Sequence, residues 1–201
     1  MLPPMVLDSA PGGAPRLVLA STSPRRSALL TAAGIPFVLG EPGDEPEASG
    51  SPPELAIERA RSKAQHALAP QGVDAPILGV DTVVDLDGEE MPKARDREHA
   101  EILLRRLGSR LHRVHTAHCL VDRRAGAMHE LLATSRVSCR AIDESALRQY
   151  LDSGEWRGKA GAYGLQDDAQ SFLRLVDGAF DTVVGLHVEA VLQLLLRTEG
   201  R

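Results

Sequence analysis

Two arginines at the start of a predicted helix are the first sign of chemistry in this sequence. Residues 17–19 are typical of a buried strand, Ser23 is a preferred N-cap and Pro24 suits the first helical position. Arg25 and Arg26 then fall in the first turn, where the helix dipole disfavours each positive charge by about 0.3–1 kcal/mol. Free N–H groups there favour an anion, so the segment predicts a phosphate or oxyanion site unless it is a basic surface turn. Replacing either arginine should leave stability unchanged or slightly higher.

An aspartate inside an otherwise apolar strand is the second candidate. With a period of two over residues 77–85, Asp81 shares a face with Ile77 and Val83, whereas Thr82 lies on the other face. A carboxylate in that position must pair with a cation, bind a metal or carry a raised pKa. Asp81 is therefore a candidate catalytic base or metal ligand, and a structural ion pair would have the same sequence.

Other polar residues carry weaker signals. Asp44 and Glu45 lie in an acidic loop rich in Pro and Gly, which is more often simply solvated. Lys63 lies at the edge of the apolar stripe of a predicted helix, and Lys93 follows a predicted turn. Lysines in such positions usually extend to solvent. The glycine-rich loop 158–166 superficially resembles a phosphate loop but lacks the Gly-Lys-Ser/Thr of a Walker motif.

Three closely spaced histidines do not have the spacing of a zinc site. On a strand, His115 points away from His112 and His118, and those two lie about 20 Å apart at about 3.3 Å per residue. The two cysteines, Cys119 and Cys139, fall in predicted strands and are expected to be buried thiols of a reducing compartment.

Composition restricts the class of protein. The 201 residues are 43% hydrophobic and 25% charged, as in ordinary soluble globular proteins, and the net charge of −5 argues against stable nucleic-acid binding. The sequence lacks 18 uninterrupted apolar residues and a secretory signal pattern, so we expect a cytoplasmic protein without membrane attachment.

Helices and strands alternate along the chain, which predicts an α/β fold. Residues 1–15, rich in Pro, Gly and Ala, are expected to be a flexible leader before a single domain over 16–201. Predicted helices begin at Ser23, at the capping box of Ser51 and Glu54, at Asp96, at Asp143 and near Val188. Predicted strands cover residues 17–19, 77–85, 112–122, 131–142, 171–176 and 180–184, and the helix after Ser51 is expected to reach about Leu68.

In this order the segments resemble the Maf family of nucleoside triphosphate pyrophosphatases, from about Leu17 to Leu195. The markers are LASTSPRR (19–26), DE (44–45), GVDTVV (79–84), GEEMPKARD (88–96), GSRLHRVHTA (108–117), KAGAYGLQ (159–166) and FDTVVGL (180–186). Any one of these is weak, but seven in sequence are specific. The resemblance implies an elongated mixed sheet with flanking helices, similar to the inosine triphosphate pyrophosphatases, with two lobes around a central cleft and often a homodimer.

The resemblance also implies an activity and its residues. A nucleoside triphosphate is hydrolysed to the monophosphate and pyrophosphate with a divalent cation, normally Mg²⁺, with Mn²⁺ as an alternative. By position, Asp81 matches the general base and Glu45 the second acidic residue, and both are candidate metal ligands, with Lys93 a third catalytic candidate. The polar and cationic lining is matched by Ser21, Arg25, Arg26, Lys63, Lys93 and Gln166.

Three positions indicate the subgroup. Members that prefer dTTP and UTP carry Arg after Ser-Pro, Thr after the catalytic Asp and Gln at the end of the glycine-rich loop, here Arg25, Thr82 and Gln166. The subgroup acting on 7-methylguanosine triphosphate has Trp, Gln and a different loop there. We therefore expect a dTTP/UTP pyrophosphatase that removes unwanted, including modified, nucleotides. The alternatives are a 7-methyl-GTP or other modified-nucleotide pyrophosphatase and a non-catalytic nucleotide sensor acting on cell division.

Two positions depart from the family pattern. The usual Gly/Glu-Lys-Pro becomes Pro92-Lys93-Ala94, which moves the rigid residue to the other side of the lysine. His187 stands where the family usually has Pro, and this change should mainly affect how the last helix starts.

Overall fold

The computed structural model describes residues 15–46 and 48–199, so the predicted leader lies outside the described residues except for Pro15. The strands are β1 (Leu17–Ala20), β2 (Phe37–Gly40), β3 (Ile77–Leu86), β4 (Glu89–Met91), β5 (Leu111–Asp122), β6 (Ala127–Cys139) and β7 (Leu173–Asp177). The α-helices are α1 (Pro24–Ala32), α2 (Pro52–Gln65), α3 (Arg97–Leu107), α4 (Glu144–Ser153), α5 (Phe180–Val184) and α6 (Val188–Glu199), and a 3₁₀ helix covers Asp168–Ser171. Within the described part of the chain, no helix is long and apolar enough to cross a bilayer.

The seven strands of the described residues belong to one mixed sheet, which confirms the predicted α/β class. Their order is β2-β1-β3-β5-β6-β7, and β4 pairs with β3. β1 runs parallel to β2 and β3, whereas the pairs formed by β3 with β4 and β5, by β5 with β6 and by β6 with β7 are antiparallel. Strand β3 is therefore central, and it carries Asp81 and Thr82.

Two apolar clusters meet at the middle of β3. Before Asp81, Leu78 and Val80 pack with residues of α1 and α6. After Thr82, Val84 belongs to the cluster of α3 and α4. Asp81 and Thr82 thus lie at the junction of two packed regions, as expected for two lobes around a cleft.

Helix α2 packs unusually close to β3. A Cβ atom at Gly79 would overlap the carbonyl oxygen of Ala60 and the backbone nitrogen of Ala64, so this contact requires a glycine. Because α2 lies so close to the strand, its last turn brings Lys63 over the face of β3 that carries Asp81.

One predicted strand is wrong. Residues 180–184, rich in β-branched and apolar side chains, form helix α5. The carboxylate of Asp181 accepts hydrogen bonds from the backbone N–H of Val188, at 2.8 Å, and its carbonyl accepts from Gly185 and Leu186. These contacts stabilise a helical turn, although the side chains of residues 180–184 favour a strand. Strand β2, which the sequence analysis did not predict, is paired in parallel with β1.

Helix starts were predicted better than element ends. The capping box of Ser51 and Glu54 and the side-chain caps of Asp96 and Asp143 are confirmed. Ser23 is at the N-cap position, but its side chain makes no capping hydrogen bond. Three elements are shifted: α2 ends at Gln65 because Leu68 bridges to Glu41, β6 covers Ala127–Cys139 rather than 131–142, and β7 covers Leu173–Asp177 rather than 171–176.

Candidate active site

A buried lysine joins the two carboxylates that the sequence singled out. The Lys63 ammonium lies 2.6 Å from Asp81 Oδ1 and 2.6 Å from Glu45 Oε1. Lys93 Nζ lies 3.8 Å from the same Glu45 oxygen. Although burial raises the pKa of the Glu45 carboxyl, hydrogen bonding to Lys63 and the charge of Lys93 outweigh it and hold that pKa below its ordinary value. Glu45 is therefore ionised at neutral pH.

The second oxygen of Asp81 has no partner. Asp81 is 4% exposed, and its Oδ2 is buried and makes no hydrogen bond to the described residues. Burying a carboxylate oxygen without a hydrogen-bond partner costs free energy. This indicates that Oδ2 contacts a water, a substrate or a metal when the site is occupied. The carboxylate is thus oriented by Lys63 and keeps one oxygen free for chemistry.

The donor set fits a divalent cation such as Mg²⁺. Glu45 and Asp81 supply carboxylate oxygens on either side of one buried cationic group. Within the described residues no group of three metal-binding side chains occurs. Mg²⁺ is commonly held by one or two carboxylates together with waters and substrate phosphates, so two carboxylates are sufficient.

Two adjoining cavities contain all nine predicted site residues. The outer cavity, about 680 Å³, is lined by Ser21, Arg25, Arg26, Asp44, Glu45, Lys63, Lys93 and Arg157, among others. The narrower inner cavity shares Arg25, Arg26 and Lys93 with it and adds Asp81, Thr82, Lys159, Tyr163, Gly164 and Gln166. A large compartment rich in cations next to a narrow one suits a ligand with a polyanionic tail and a flat ring.

Arg26 is tied into the fold, whereas Arg25 is nearly free. The Arg26 guanidinium donates to the carbonyl oxygen of Gly185 at 2.8 Å, to Ser21 Oγ at 3.0 Å and to Thr82 Oγ1 at 3.4 Å. Arg25 makes one long hydrogen bond, 3.3 Å, to a backbone carbonyl. Burial lowers the pKa of both guanidiniums, and the neighbouring charge of Asp81 partly offsets this for Arg26.

The structure revises the stability expectation for one of the two arginines. Arg26→Ala should lower the free energy of unfolding by about 1.5–3 kcal/mol, because it leaves buried acceptors unpaired. Arg25→Ala should change it by less than about 0.5 kcal/mol, as for a surface position. Urea unfolding of both variants measures the difference. Equal stabilities would contradict a structural role for Arg26.

Thr82 shapes the inner cavity without a free donor. Thr116 donates its hydroxyl hydrogen to the carbonyl oxygen of Thr182 at 2.7 Å, so the 3.0 Å contact between Thr82 and Thr116 has Thr82 as the donor. Thr82 also accepts from Arg26. With its hydrogen committed, Thr82 cannot donate to a ligand, and its side chain bounds the cavity by its volume.

Lysine 93 reaches the site despite the moved proline. Its backbone forms an isolated bridge with Ala160 of the glycine-rich loop, and its side chain lines both cavities. The loop 158–166 therefore closes one wall of the inner cavity and is fastened to the segment after β4 that carries Lys93.

The lining residues that the sequence analysis did not assign to the site include Arg157, Lys159 and Tyr163. Lys159 and Tyr163 stand inside the KAGAYGLQ marker, which was the available signal. Burial lowers the pKa of Lys159 to about 8, and the nearby charge of Arg25 acts in the same direction.

The histidines and cysteines have structural surroundings. His112 contacts the Tyr163 hydroxyl, His115 contacts Asp85, and His118 Nε2 accepts the backbone N–H of His187 at 2.9 Å. A proline at position 187 would lack that donor. Both cysteines are free and buried, as predicted, and burial raises the pKa of Cys119 to about 12 and that of Cys139 to about 11.

Comparison with known proteins gives consistent matches. The family model described as Maf-like protein matches residues 16–198. A dTTP/UTP pyrophosphatase of Thermus thermophilus is 45% identical over 184 residues, which cover 91% of this chain and 95% of that protein. Proteins of the same name from Escherichia coli and Salmonella typhimurium are 39% identical over 89% of this chain and 91% of their own length.

Proposed function

Because the chain belongs to the Maf family, we propose that it hydrolyses dTTP and UTP to the nucleoside monophosphate and pyrophosphate, as a nucleoside triphosphate diphosphatase. The observation that carries this proposal is the free Oδ2 of Asp81, buried at the point where the inner cavity adjoins the cation-lined outer cavity. A triphosphate in the outer cavity would bring its anhydride bond next to that oxygen.

The cationic side chains bind and orient the triphosphate. Lys93 and Arg25 line both cavities and have few protein partners, so they are suited to neutralise phosphate oxygens. Arg26 is fixed by three acceptors and contributes a positioned charge beside Ser21. Such preorganised charges supply most of the rate in phosphoryl-group chemistry.

Asp81 acts on the attacking water. Lys63 holds Oδ1, and the free Oδ2 accepts a hydrogen bond from the water and then its proton. Glu45 keeps Lys63 in place from the other side. In the alternative assignment, Asp81 is a metal ligand and orients the water without taking its proton.

Glu45 and Asp81 are the residues that would hold a divalent cation. Bound there, Mg²⁺ or Mn²⁺ would neutralise charge on the phosphates and lower the pKa of a coordinated water. The lysine between the two carboxylates then has phosphate oxygens available as new partners.

The inner cavity is proposed to receive the base. Arg25, Thr82 and Gln166 line it together, and these are the residues by which the pyrimidine subgroup was recognised. A narrow cavity favours the smaller pyrimidine ring. The substrate is a free nucleotide, and buried free thiols support a reducing compartment, the cytoplasm. A homodimer remains an expectation from the family.

Pyrophosphate release tests the proposal. With Mg²⁺, dTTP and UTP should give pyrophosphate and monophosphate in equal amounts, and excess chelator should abolish release. Orthophosphate as the product would place cleavage at another bond and contradict the proposal. Tight nucleotide binding without any release would favour the nucleotide-sensor alternative.

A further inference from the structure

An ion pair across the glycine-rich loop lies outside the catalytic arrangement described above. Lys159 Nζ contacts Asp167 Oδ2, and the two side chains are only 10% and 11% exposed. The residues are eight positions apart, and Gln166 lies between them, next to Asp167. A buried pair is expensive to desolvate, so its presence at a cavity wall calls for a reason.

The side chains of Gln166 and Asp167 lie over the same backbone atom. A Cβ on Gly164 would be 2.6 Å from Gln166 Nε2 and 2.5 Å from Asp167 Oδ2. The Gln166 amide makes no hydrogen bond to the described residues, and the residue is exposed toward the inner cavity. The position of the Gln166 amide is therefore set by the groups that pack beside it. The nearest of these is the Asp167 carboxylate, which Lys159 holds.

The other end of the loop is already fixed. Arg25 donates to the carbonyl oxygen of Gly158, and the backbone N–H of Gly161 donates to the carbonyl oxygens of Met91 and Pro92. At the end that carries Gln166, two side chains hold the loop: Lys159 contacts the Asp167 carboxylate, and the Glu155 carboxylate accepts from the backbone N–H of Asp168 at 3.1 Å. Loss of the Lys159–Asp167 pair would release the Asp167 side chain, the immediate neighbour of Gln166, while the loop backbone stayed attached.

We propose that Lys159 and Asp167 are positioning residues for base recognition, which hold the Gln166 amide at the edge of the base in the inner cavity. The proposal rests on the proposed function, because it names how the same site distinguishes bases. A glutamine amide offers a donor and an acceptor, and the N3–H and O4 of thymine can pair with both. Cytosine reverses donor and acceptor at both atoms, so a glutamine amide that is free to turn over could pair with either base. Discrimination then requires the amide to be held in place.

Equilibrium binding of dTMP and dCMP tests the inference without catalysis. These ligands have the same sugar and phosphate but differ in the base edge and in the thymine 5-methyl group. Binding of dUMP, which has the thymine edge without the methyl group, is measured beside them so that the comparison with dCMP isolates the base edge. Wild-type protein should prefer dTMP, and Lys159→Met and Asp167→Asn should each reduce this preference about tenfold. Asp168→Asn, the same charge change at the next residue, should leave the ratio within twofold. Lys159→Arg should restore most of it.

A double-mutant cycle separates positioning from general weakening. In the Gln166→Ala background, Lys159→Met should have no further effect on the ratio, because the residue it positions is gone. An unchanged ratio in Asp167→Asn, which preserves side-chain shape, would overturn the proposal. So would an equal loss of affinity for both ligands, or a wild type without base preference. Selective dTMP binding in a protein that releases no pyrophosphate would leave this inference standing and reject the proposed function.

Discussion

Asp81→Asn should reduce kcat for dTTP by about 10²–10⁴-fold, the largest effect we expect from a single substitution. Asparagine keeps the shape of the side chain, and its Oδ1 still accepts from Lys63, but the buried Oδ2 that has no partner becomes an amide nitrogen. That group cannot take a proton from water. Steady-state measurements with saturating dTTP and Mg²⁺ give kcat, and single-turnover measurements with excess enzyme isolate the chemical step.

A matched control exists on the same strand. Asp85 is also buried, at 5% exposure, and lies on the same face of β3, but its oxygens accept from the backbone N–H of Gly88 at 2.7 Å and contact His115. Asp85→Asn should lower stability and leave kcat within about threefold. If Asp81→Asn keeps more than about a tenth of the wild-type kcat, Asp81 is not the general base.

The two roles open to Asp81 differ in their effect on metal affinity. If Asp81 acts as the base and Glu45 holds the ion, Asp81→Asn should bind Mn²⁺ in the presence of dTMP nearly as well as wild type does. If Asp81 is a ligand, the affinity should fall by about 10–100-fold, the range found when metal-site partners are removed. Electron paramagnetic resonance of free Mn²⁺ measures this without turnover.

The sequence around Asp81 predicts that its carboxylate needs a partner. It does not predict which residue that partner is. The apolar pattern of β3 already requires a counter-charge for a carboxylate. Lys63 becomes that counter-charge only because Gly79 allows α2 to lie against β3. A lysine on a helix edge usually extends to solvent, so the expectation from local sequence pointed the other way.

Arg26 illustrates the opposite case. The sequence correctly marks it as a cation at a helix start, and the helix carries no acidic residue in its first turn. Its main partner, the carbonyl oxygen of Gly185, is 159 residues away in the chain. Helix α5, which precedes Gly185, is also the element that the sequence predicted wrongly. Asp181 bonds to the backbone of residues 185–188, and Thr116, which is distant in the chain, donates to the carbonyl oxygen of Thr182. Local patterns predict which residues carry charge, and long-range contacts decide which of those charges remain available to a ligand.

The adjoining cavities separate two kinds of recognition. The outer cavity can neutralise any triphosphate, because Lys93, Arg25 and Lys63 respond to charge and not to the base. In the proposed function, base choice therefore comes from the inner cavity, which Thr82 and Gln166 line. This separation predicts that substitutions at Thr82 change the order of substrates more than they change the fold.

Thr82→Gln should lower kcat/KM for dTTP and UTP by about 10–200-fold, the range in which added side-chain volume in a binding pocket acts. Thr82 lies between Arg26 and Thr116, so a longer side chain has to extend into the inner cavity where the pyrimidine is proposed to lie. Overfilling a packed core costs about 1–3 kcal/mol, and the cost should be lower here because the side chain faces open space.

Competitive kcat/KM values for dTTP, UTP, dATP, dGTP and 7-methyl-GTP provide the measurement. Wild type should turn over dTTP and UTP well ahead of the three purine nucleotides. Thr82→Val, which matches threonine in volume and loses only the hydroxyl, should keep that order, because the Thr82 hydrogen is donated to Thr116 and not to a ligand. If Thr82→Val changes the order of kcat/KM values as strongly as Thr82→Gln does, the Thr82 hydroxyl itself contacts the base. A wild type that prefers 7-methyl-GTP would reject the pyrimidine assignment and leave pyrophosphate release untouched, since we propose that the phosphates bind in the other cavity.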